Sequence, residues 1–232
     1  MKSEQGTVLI VDDERSIRAS LRTILSNMGF EIVEAARGEE ALELVRTAQL
    51  DAVLLDLNMP GMGGIDACRG IRSSSPRLPI LILTVQGGED QKVEALDAGA
   101  DDYITKPFQL KELTARLRSA VRRYRTSDGS NVPIIVGDIS LDPARHLVQK
   151  RGQVVHLTPK QFELLNYLMA NAGRPVPHVR LLRSVWGPEY GNELEYLRTF
   201  VKQIRGKIED DPANPRYLLT DPHIGYRFIE SA

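Results

Sequence analysis

The first half of the chain alternates short apolar runs with amphipathic segments, and this pattern restricts its fold more than any other feature. The strand-like runs cover residues 7–11, 30–33, 52–55, 80–83 and 102–104. A strand that is apolar along its length is buried on both faces, as in a parallel sheet covered by helices. Between the runs, apolar residues such as Ile17, Leu21 and Leu25 recur at helical spacing. Five such units in about 120 residues predict an α/β doubly wound, five-stranded parallel sheet.

The pattern changes after a helix predicted over residues 110–124. Residues 125–131 are polar and aperiodic, which is typical of a linker. Short strand-like runs, helical patterns and a terminal hairpin follow, at 134–136, 139–141, 147–149, 154–157, 159–171, 178–185, 194–208, 217–220 and 226–229. The first of these helices begins after Thr158, a favourable N-cap that is followed by a proline. We therefore predict two domains, 1–124 and 132–232, the second of them a small α+β domain.

Composition and charge exclude several classes of protein. The net charge of -1 and the 42% hydrophobic content are those of an ordinary globular chain rather than a disordered one. The single cysteine, Cys68, leaves no internal disulfide and fits a reducing compartment. The sequence shows neither a signal-peptide pattern nor an apolar run of the roughly 18 residues that a membrane span needs. We expect a soluble, cytoplasmic protein without a membrane partner.

Acidic and basic side chains follow the ends of the predicted strands. Asp12 and Asp13 follow the first strand, Asp56 ends the third, Thr84 ends the fourth and Lys106 follows the fifth. In an open parallel sheet these ends share one edge, where ligands bind. Converging carboxylates repel one another unless a hard cation such as Mg²⁺ lies among them. Individually, the aspartates could be only helix-capping or turn residues, but together they indicate a site where one carboxylate attacks phosphorus.

Three motifs resemble the receiver domain of bacterial two-component response regulators. They are Val-Asp-Asp-Glu at 11–14, Leu-Asp-Leu-Asn-Met-Pro-Gly at 55–61 and Gly-Ala-Asp-Asp-Tyr-Ile-Thr-Lys-Pro-Phe at 99–108, and the resemblance spans residues 5–124. It implies that Asp56 accepts a phosphoryl group from a sensor histidine kinase. The remaining implied roles are Mg²⁺ binding by Asp12, Asp13, Asp56 and the main-chain carbonyl of Asn58, phosphoryl contacts by Thr84 and Lys106, and a rotamer switch at Tyr103. It also implies a cis bond before Pro107.

Within that family, the chain is most similar to regulators of the OmpR/PhoB type. Their receivers form homodimers through paired charges on the fourth helix, fifth strand and fifth helix. The matching residues here are Lys92, Asp101, Asp102, Glu112, Arg116 and Arg123. The alternative is that these charges are only a solvated surface, because exposed ion pairs contribute about 0–1 kcal/mol each.

The helix predicted over 194–208 has two distinct faces. Leu194, Leu197, Val201, Ile204 and Ile208 form its apolar stripe. The other face carries Arg198, Thr199, Lys202, Gln203, Arg205 and Lys207. Residues 196–207 include four basic residues and no acidic one, as insertion into a DNA major groove requires. A solvated basic helix is the alternative, but a preceding short helix and a following hairpin favour a winged helix.

Residues 132–230 resemble the OmpR/PhoB effector domain, which binds double-stranded DNA. The resemblance depends on three motifs: Leu-Thr-Pro-Lys-Gln-Phe-Glu-Leu-Leu at 157–165, Arg-Leu-Leu-Arg-Ser-Val-Trp-Gly at 180–187 and Gly-Tyr-Arg-Phe at 225–228. The wing tip departs from the family, since Pro222 and His223 replace its usual Arg-Gly, and His223 is our candidate contact there. The C-terminal part is further similar to regulators of Kdp potassium-transport operons, and the resemblance implies contact with RNA polymerase.

Three other functions fit the sequence less well. A haloacid-dehalogenase-type phosphatase needs a second acid two residues after its nucleophile, and Asn58 occupies that position. An RNA-binding output needs stacking aromatics or a recognition motif, which we do not find. A receiver that serves only for dimerisation has no use for the acidic set. We expect a transcription regulator rather than an enzyme.

Overall fold

The computed structural model describes residues 5–85, 89–125, 132–188, 190–191 and 193–230, with only the backbone of residues 89 and 90. The chain divides into two compact units, Met1–Thr126 and Ser127–Ala232. The linker predicted at 125–131 falls outside the described residues except for Arg125, which ends a helix. No helix in these described ranges is long and apolar enough to cross a membrane.

Strands and helices alternate along the first unit. They are β1 (Thr7–Val11), α1 (Arg15–Asn27), β2 (Glu31–Ala35), α2 (Gly38–Thr47), β3 (Ala52–Asp56), α3 (Gly64–Ser74), β4 (Ile80–Val85), α4 (Glu89–Asp97), β5 (Asp102–Lys106) and α5 (Leu110–Arg125). All neighbouring strands run parallel, in the order β2-β1-β3-β4-β5. The doubly wound sheet predicted from the apolar runs is confirmed.

Burial on both faces of the central strands explains why those runs are continuous. Val8 and Ile10 point to one face of β1, where they join a core with Leu21 of α1 and Leu117 of α5. Leu9, on the opposite face, is fully buried as well. β2 lies at an edge and is more exposed, which explains its weaker apolar signal.

The second unit is the predicted α+β arrangement. Its elements are β6 (Ile134–Val136), β7 (Ile139–Asp142), β8 (Leu147–Lys150), β9 (Gln153–Val154), α6 (Pro159–Ala170), β10 (Val176–Pro177), α7 (His178–Val185), α8 (Leu194–Ile208), β11 (Leu218–Asp221) and β12 (Gly225–Phe228). Among the described residues they form two antiparallel sheets, β6-β7-β8-β9 and β10-β12-β11.

A local sequence signal fixes the start of α6. Thr158 caps α6, and its main-chain N–H donates to Gln161 Oε1 at 3.1 Å, which completes a capping box.

The strand β10 was not predicted, because a two-residue strand has no periodicity. It pairs closely with β12 at Gly225, where a Cβ atom would lie 1.9 Å from the Val176 carbonyl oxygen. A larger residue at 225 would therefore separate these strands.

Candidate functional site

The acidic side chains meet at the carboxyl edge of the parallel sheet. Because Val11 of β1 pairs with Leu55 of β3, Asp12 follows directly beside Asp56. Carboxylate oxygens of Asp12, Asp13 and Asp56 all lie within 4.8 Å of one another. Asp12 and Asp56 are buried, whereas Asp13 is exposed. The sheet register thus assembles the cluster predicted from the strand ends.

Lys106, at the end of β5, provides the positive charge of this cluster. Its Nζ lies 3.0 Å from Asp12 Oδ2, to which it donates a hydrogen bond, and 3.2 Å from Asp56 Oδ1. The second contact is an ion pair without hydrogen-bond geometry, so the buried Asp56 Oδ1 accepts no hydrogen bond. The Lys106–Pro107 bond is cis, as predicted.

Burial and the neighbouring charges both shift the pKa values of Asp56 and Lys106. Burial raises the pKa of Asp56, as does the charge of Asp12, while Lys106 and the main-chain N–H of Asn58 lower it less. Burial lowers the pKa of Lys106, but the hydrogen bond to Asp12 and the charges of Asp56 and Asp12 outweigh this, so that its pKa is raised. The pKa of the Lys106 ammonium is thus raised by the two carboxyl groups that it faces, whereas the pKa of Asp56 is raised mainly by its burial.

The donor set fits a magnesium ion. The cluster offers three carboxylates, and hard oxygen ligands of this kind are those that Mg²⁺ prefers. The Asp56 oxygen that accepts no hydrogen bond in its buried position is suited to a metal ligand. The residues present are thus compatible with the cation that the sequence predicts.

The structure also describes the surroundings of three further predicted residues. The main-chain N–H of Asn58 hydrogen-bonds to the Asp56 carboxylate and lowers its pKa slightly, whereas the role of the Asn58 carbonyl as a metal ligand stays a prediction. Thr84 is buried near the end of β4, and its hydroxyl donates to the Val85 carbonyl at 3.0 Å. Tyr103 is half-buried on β5, with the Lys92 ammonium 4.9 Å from its ring centroid. Thr84 is therefore at the sheet edge, while the described contact of Tyr103 is with α4.

The charges predicted to form a dimer face are partly engaged within the receiver. Arg116 of α5 donates to Asp102 of β5 at 3.1 Å and to Glu112 at 2.8 Å. Arg123, about two helical turns beyond on the same helix, is half-buried. Asp101 is 2% exposed, and its Oδ2 accepts from Arg72 at 2.6 Å and from the main chain of Ile80 at 2.9 Å. The prediction that Asp101 contacts a partner is therefore wrong, because it closes a polar network inside the domain.

On α8, Arg198 and Lys202 are exposed, one helical turn apart. Arg198 also pairs with Glu195 on the same helix. Thr199 is buried, and its hydroxyl donates to the Glu195 carbonyl at 3.0 Å, so the prediction that it faces DNA is wrong. Leu194, assigned to the apolar stripe, is 38% exposed at the start of the helix.

The other predicted DNA-contacting residues of α8 bond to neighbouring elements. Gln203 Oε1 accepts from Gln161 Nε2 at 2.8 Å, and Lys207 Nζ donates to Gln161 Oε1 at 2.7 Å. Arg205 bonds to β11, and burial lowers its pKa against the opposing influence of Tyr226 and Glu209. These side chains hold α8 in place on the domain, whatever else they contact.

The hairpin β11–β12 ends in an exposed turn. His223 lies there with φ of 64°, a left-handed conformation that is uncommon for residues other than glycine. Arg227 of β12 pairs with Asp221 at 3.1 Å. The sequence pattern does not single out Arg227 as a site residue, nor Arg18, whose guanidinium contacts the loop after β1. Both resemble ordinary solvated charges when only their spacing is considered.

Both halves of the chain match known families. Residues 8–118 match the response regulator receiver domain, and residues 152–228 match the family described as transcriptional regulatory protein, C terminal. The transcriptional regulatory protein KdpE of Mycobacterium tuberculosis is 43% identical over 222 residues, which cover 95% of this chain and 98% of that protein. The KDP operon transcriptional regulatory protein KdpE of Escherichia coli is 40% identical, with 96% and 98% covered.

Solved structures agree with this relationship. The response regulator DrrB of Thermotoga maritima, an OmpR/PhoB homologue, is 31% identical and superposes with a TM-score of 0.52 over 99% of this chain and 100% of that one. A RitR C128D mutant has the same fold, with a TM-score of 0.78 at 24% identity over 97% and 99% of the two chains. The chain belongs to the OmpR/PhoB-type two-component response regulators, which are transcription regulators with a receiver domain and a C-terminal DNA-binding domain.

Proposed function

We propose that Asp56 is the phosphoryl acceptor of this regulator and that its phosphorylation controls DNA binding by the C-terminal domain. The observation that carries the proposal is the placement of the Asp56 carboxylate, buried between Asp12 and the Lys106 ammonium, with Oδ1 accepting no hydrogen bond. A buried carboxylate oxygen that accepts no hydrogen bond and lies 3.2 Å from an ammonium is available as a nucleophile, and a bound cation would offset the remaining negative charge of the cluster.

In the proposed transfer, an Asp56 oxygen forms a bond to phosphorus while the bond from phosphorus to the imidazole nitrogen of a sensor histidine kinase breaks. The kinase histidine retains the electron pair of that bond. Lys106 lies where it would offset the charge on the phosphoryl oxygens, and Thr84 would donate its hydroxyl to one of them. Tyr103 would then move with Thr84 and pass the change to the α4 side of the domain.

Asp12, Asp13, Asp56 and the Asn58 carbonyl would hold Mg²⁺ in this scheme. The ion, when bound, supplies positive charge that keeps the carboxylates ionised and stabilises the transferred phosphoryl group. Asp13, the exposed member of the set, is accessible to an entering ion.

Intact mass spectrometry tests this assignment. Incubation with acetyl phosphate and Mg²⁺ should add the mass of one phosphoryl group to the wild-type chain. Asp56→Asn should remove that gain, whereas Asp66→Asn should not, because Asp66 is an exposed aspartate on α3. A phosphorylated Asp56→Asn protein would reject the assignment.

We further propose that phosphorylation promotes a homodimer through α4, β5 and α5. Lys92, Glu112, Arg116 and Arg123 would form its contacts, while Asp102, which is 7% exposed, would take part through its bond to Arg116. The Arg116 guanidinium, already fixed between Asp102 and Glu112, supports this because few side-chain rotamers remain to be ordered on association. Several such charges across a two-fold axis select register and partner.

The DNA site would be the exposed surface of α8 with the β11–β12 hairpin. Arg198, Lys202 and Lys207 are exposed cations of α8, and His223 is at the hairpin turn. Similarity to the KdpE proteins supports the proposal that this regulator controls a Kdp potassium-transport operon. We propose that it does so in the cytoplasm and together with RNA polymerase. Sequencing of the DNA bound by the purified, phosphorylated protein tests this target. Enrichment of DNA unrelated to potassium transport would refute the operon assignment without affecting Asp56.

A further inference from the structure

Arg18 holds the loop that carries two of the three clustered aspartates. Its Nη1 donates to the main-chain carbonyl of Asp12 at 2.6 Å and to that of Asp13 at 3.1 Å. Arg18 comes from the first turn of α1 and reaches back over the residues that precede the helix. One nitrogen therefore ties together the two carbonyls of the Asp12–Asp13 pair.

The Arg18 side chain is itself held in position from the other direction. It is 14% exposed, and its Nε lies 3.9 Å from the carboxylate of Glu34 on β2. Within the same loop, the Glu14 main-chain N–H donates to Asp12 Oδ1 at 2.9 Å, and the Asp12 N–H donates to the Ala35 carbonyl at 3.3 Å. Arg18 is thus one of several contacts that fix the conformation of this loop relative to β2.

We infer that Arg18 is a positioning residue for the magnesium site, which orients the Asp12 and Asp13 carboxylates by fixing their main-chain carbonyls. This inference rests on the proposed function, since it assumes that these carboxylates hold Mg²⁺. Groups that orient metal ligands without touching the metal commonly alter metal affinity roughly 10–100-fold when they are removed. Arg18 has that relation to Asp12 and Asp13.

The opposite sign is expected if Arg18 acts only through its charge. A nearby cation repels Mg²⁺, so its removal would strengthen binding. Loss of the hydrogen bonds, in contrast, leaves the loop less ordered and weakens binding. The direction of the change in Mg²⁺ affinity therefore separates the two roles.

Arg22 offers a matched control. It is also an arginine of α1 that pairs with Glu34, at 3.4 Å, but its side chain is 63% exposed. Its described contact is with Glu34 alone, not with the loop carbonyls. Arg22→Ala therefore removes the same charge from the same helix and leaves the loop contacts intact.

The test is a titration of the full-length chain with MgCl₂, followed by amide NMR, together with hydrogen exchange of the loop amides in metal-free protein. For Arg18→Ala we expect a dissociation constant raised roughly tenfold and faster exchange of the Asp13 and Glu14 amides. For Arg22→Ala we expect a dissociation constant within about twofold of wild type, because an exposed pair contributes little. In phosphorylation assays, Arg18→Ala should raise the Mg²⁺ concentration for half-maximal rate more than it lowers the rate at saturation.

The Arg18→Lys variant distinguishes loss of the hydrogen bonds from a general folding defect of the alanine variant. Because both bonds come from a single nitrogen, an ammonium should restore much of the affinity. Unchanged or tighter Mg²⁺ binding by Arg18→Ala would overturn the inference, as would a lysine variant no better than alanine. A wild-type chain that binds no Mg²⁺ would instead overturn the proposed function, and with it this inference.

Discussion

Arg205 of α8 donates from Nη2 to the hydroxyl of Thr220 on β11 at 2.8 Å. Its Nε also donates to the Leu218 carbonyl at 2.9 Å, and its guanidinium lies 5.9 Å from the Tyr226 ring centroid. Arg205 therefore bonds the helix that is predicted to enter the groove directly to the hairpin beside it.

Arg205→Ala should destabilise the C-terminal domain by about 1–3 kcal/mol, because it removes charge-assisted hydrogen bonds and leaves the Leu218 carbonyl without this donor. Urea unfolding measures the loss. Thr220→Val is the control, because it removes only one of the two bonds and should therefore cost less. An Arg205→Ala protein as stable as wild type would show that the bonds to β11 contribute nothing net.

Lys202→Ala should weaken binding to all DNA sequences about equally. It should also reduce the slope of log affinity against log salt concentration by roughly one unit, as loss of one phosphate contact does. Lys202 is exposed on α8. Fluorescence anisotropy at several salt concentrations measures the slope. Lys111→Ala, an exposed lysine of the receiver helix α5, should leave it unchanged. An unaltered slope for Lys202→Ala would exclude a phosphate contact.

Gln203→Ala should instead relax preference at one base position and cost roughly 1–3 kcal/mol there, since amide side chains read adenine edges. Its Oε1 already accepts from Gln161 at 2.8 Å, which restricts the side chain before DNA binds. Affinity measured across single-base operator variants checks this expectation. A uniform loss at every base would assign Gln203 to support of the helix.

Arg116→Glu should weaken dimerisation of the phosphorylated protein, because it places a carboxylate beside Asp102 and Glu112 and reverses the charge of the proposed face. Sedimentation velocity measures the dimer fraction. Arg118→Glu makes the same charge change at an exposed position of the same helix and should have a smaller effect. Equal dimer fractions for wild type and Arg116→Glu at moderate salt would locate the interface elsewhere.

Stability should fall below neutral pH because of His178. Burial lowers the pKa of His178, with a smaller contribution from the Arg198 charge, and its ring lies 5.4 Å from the Tyr226 ring. As pH falls through the ordinary histidine value of about 6.5, the unfolded chain takes up the proton first. The free energy of unfolding should therefore decrease from that pH down to the lower folded-state pKa, and then change no further on this account.

His178→Gln should reduce this part of the pH dependence in urea-unfolding curves. His156→Gln, at an exposed position, is the comparison and should leave it in place. Identical pH profiles for wild type and His178→Gln would mean that the imidazole does not contribute.

The sequence alone determined which residues form the acidic cluster. Apolar runs are a local property, and the carboxyl ends of parallel strands always share one edge, so Asp12, Asp56 and Lys106 had to converge once the strands were recognised. The same holds for the capped start of α6, since the capping box lies within four consecutive residues.

Tertiary structure decided which side chains remain available to a partner. Asp101 and Thr199 occupy positions whose spacing is compatible with a surface, yet both are buried. Arg18 and Arg205 look like solvated charges in the sequence, yet one fixes the Asp12–Asp13 loop and the other joins α8 to β11. Periodicity specifies the face of an element, but the partner of a polar side chain depends on atoms that are distant in sequence and are positioned only by the packed fold.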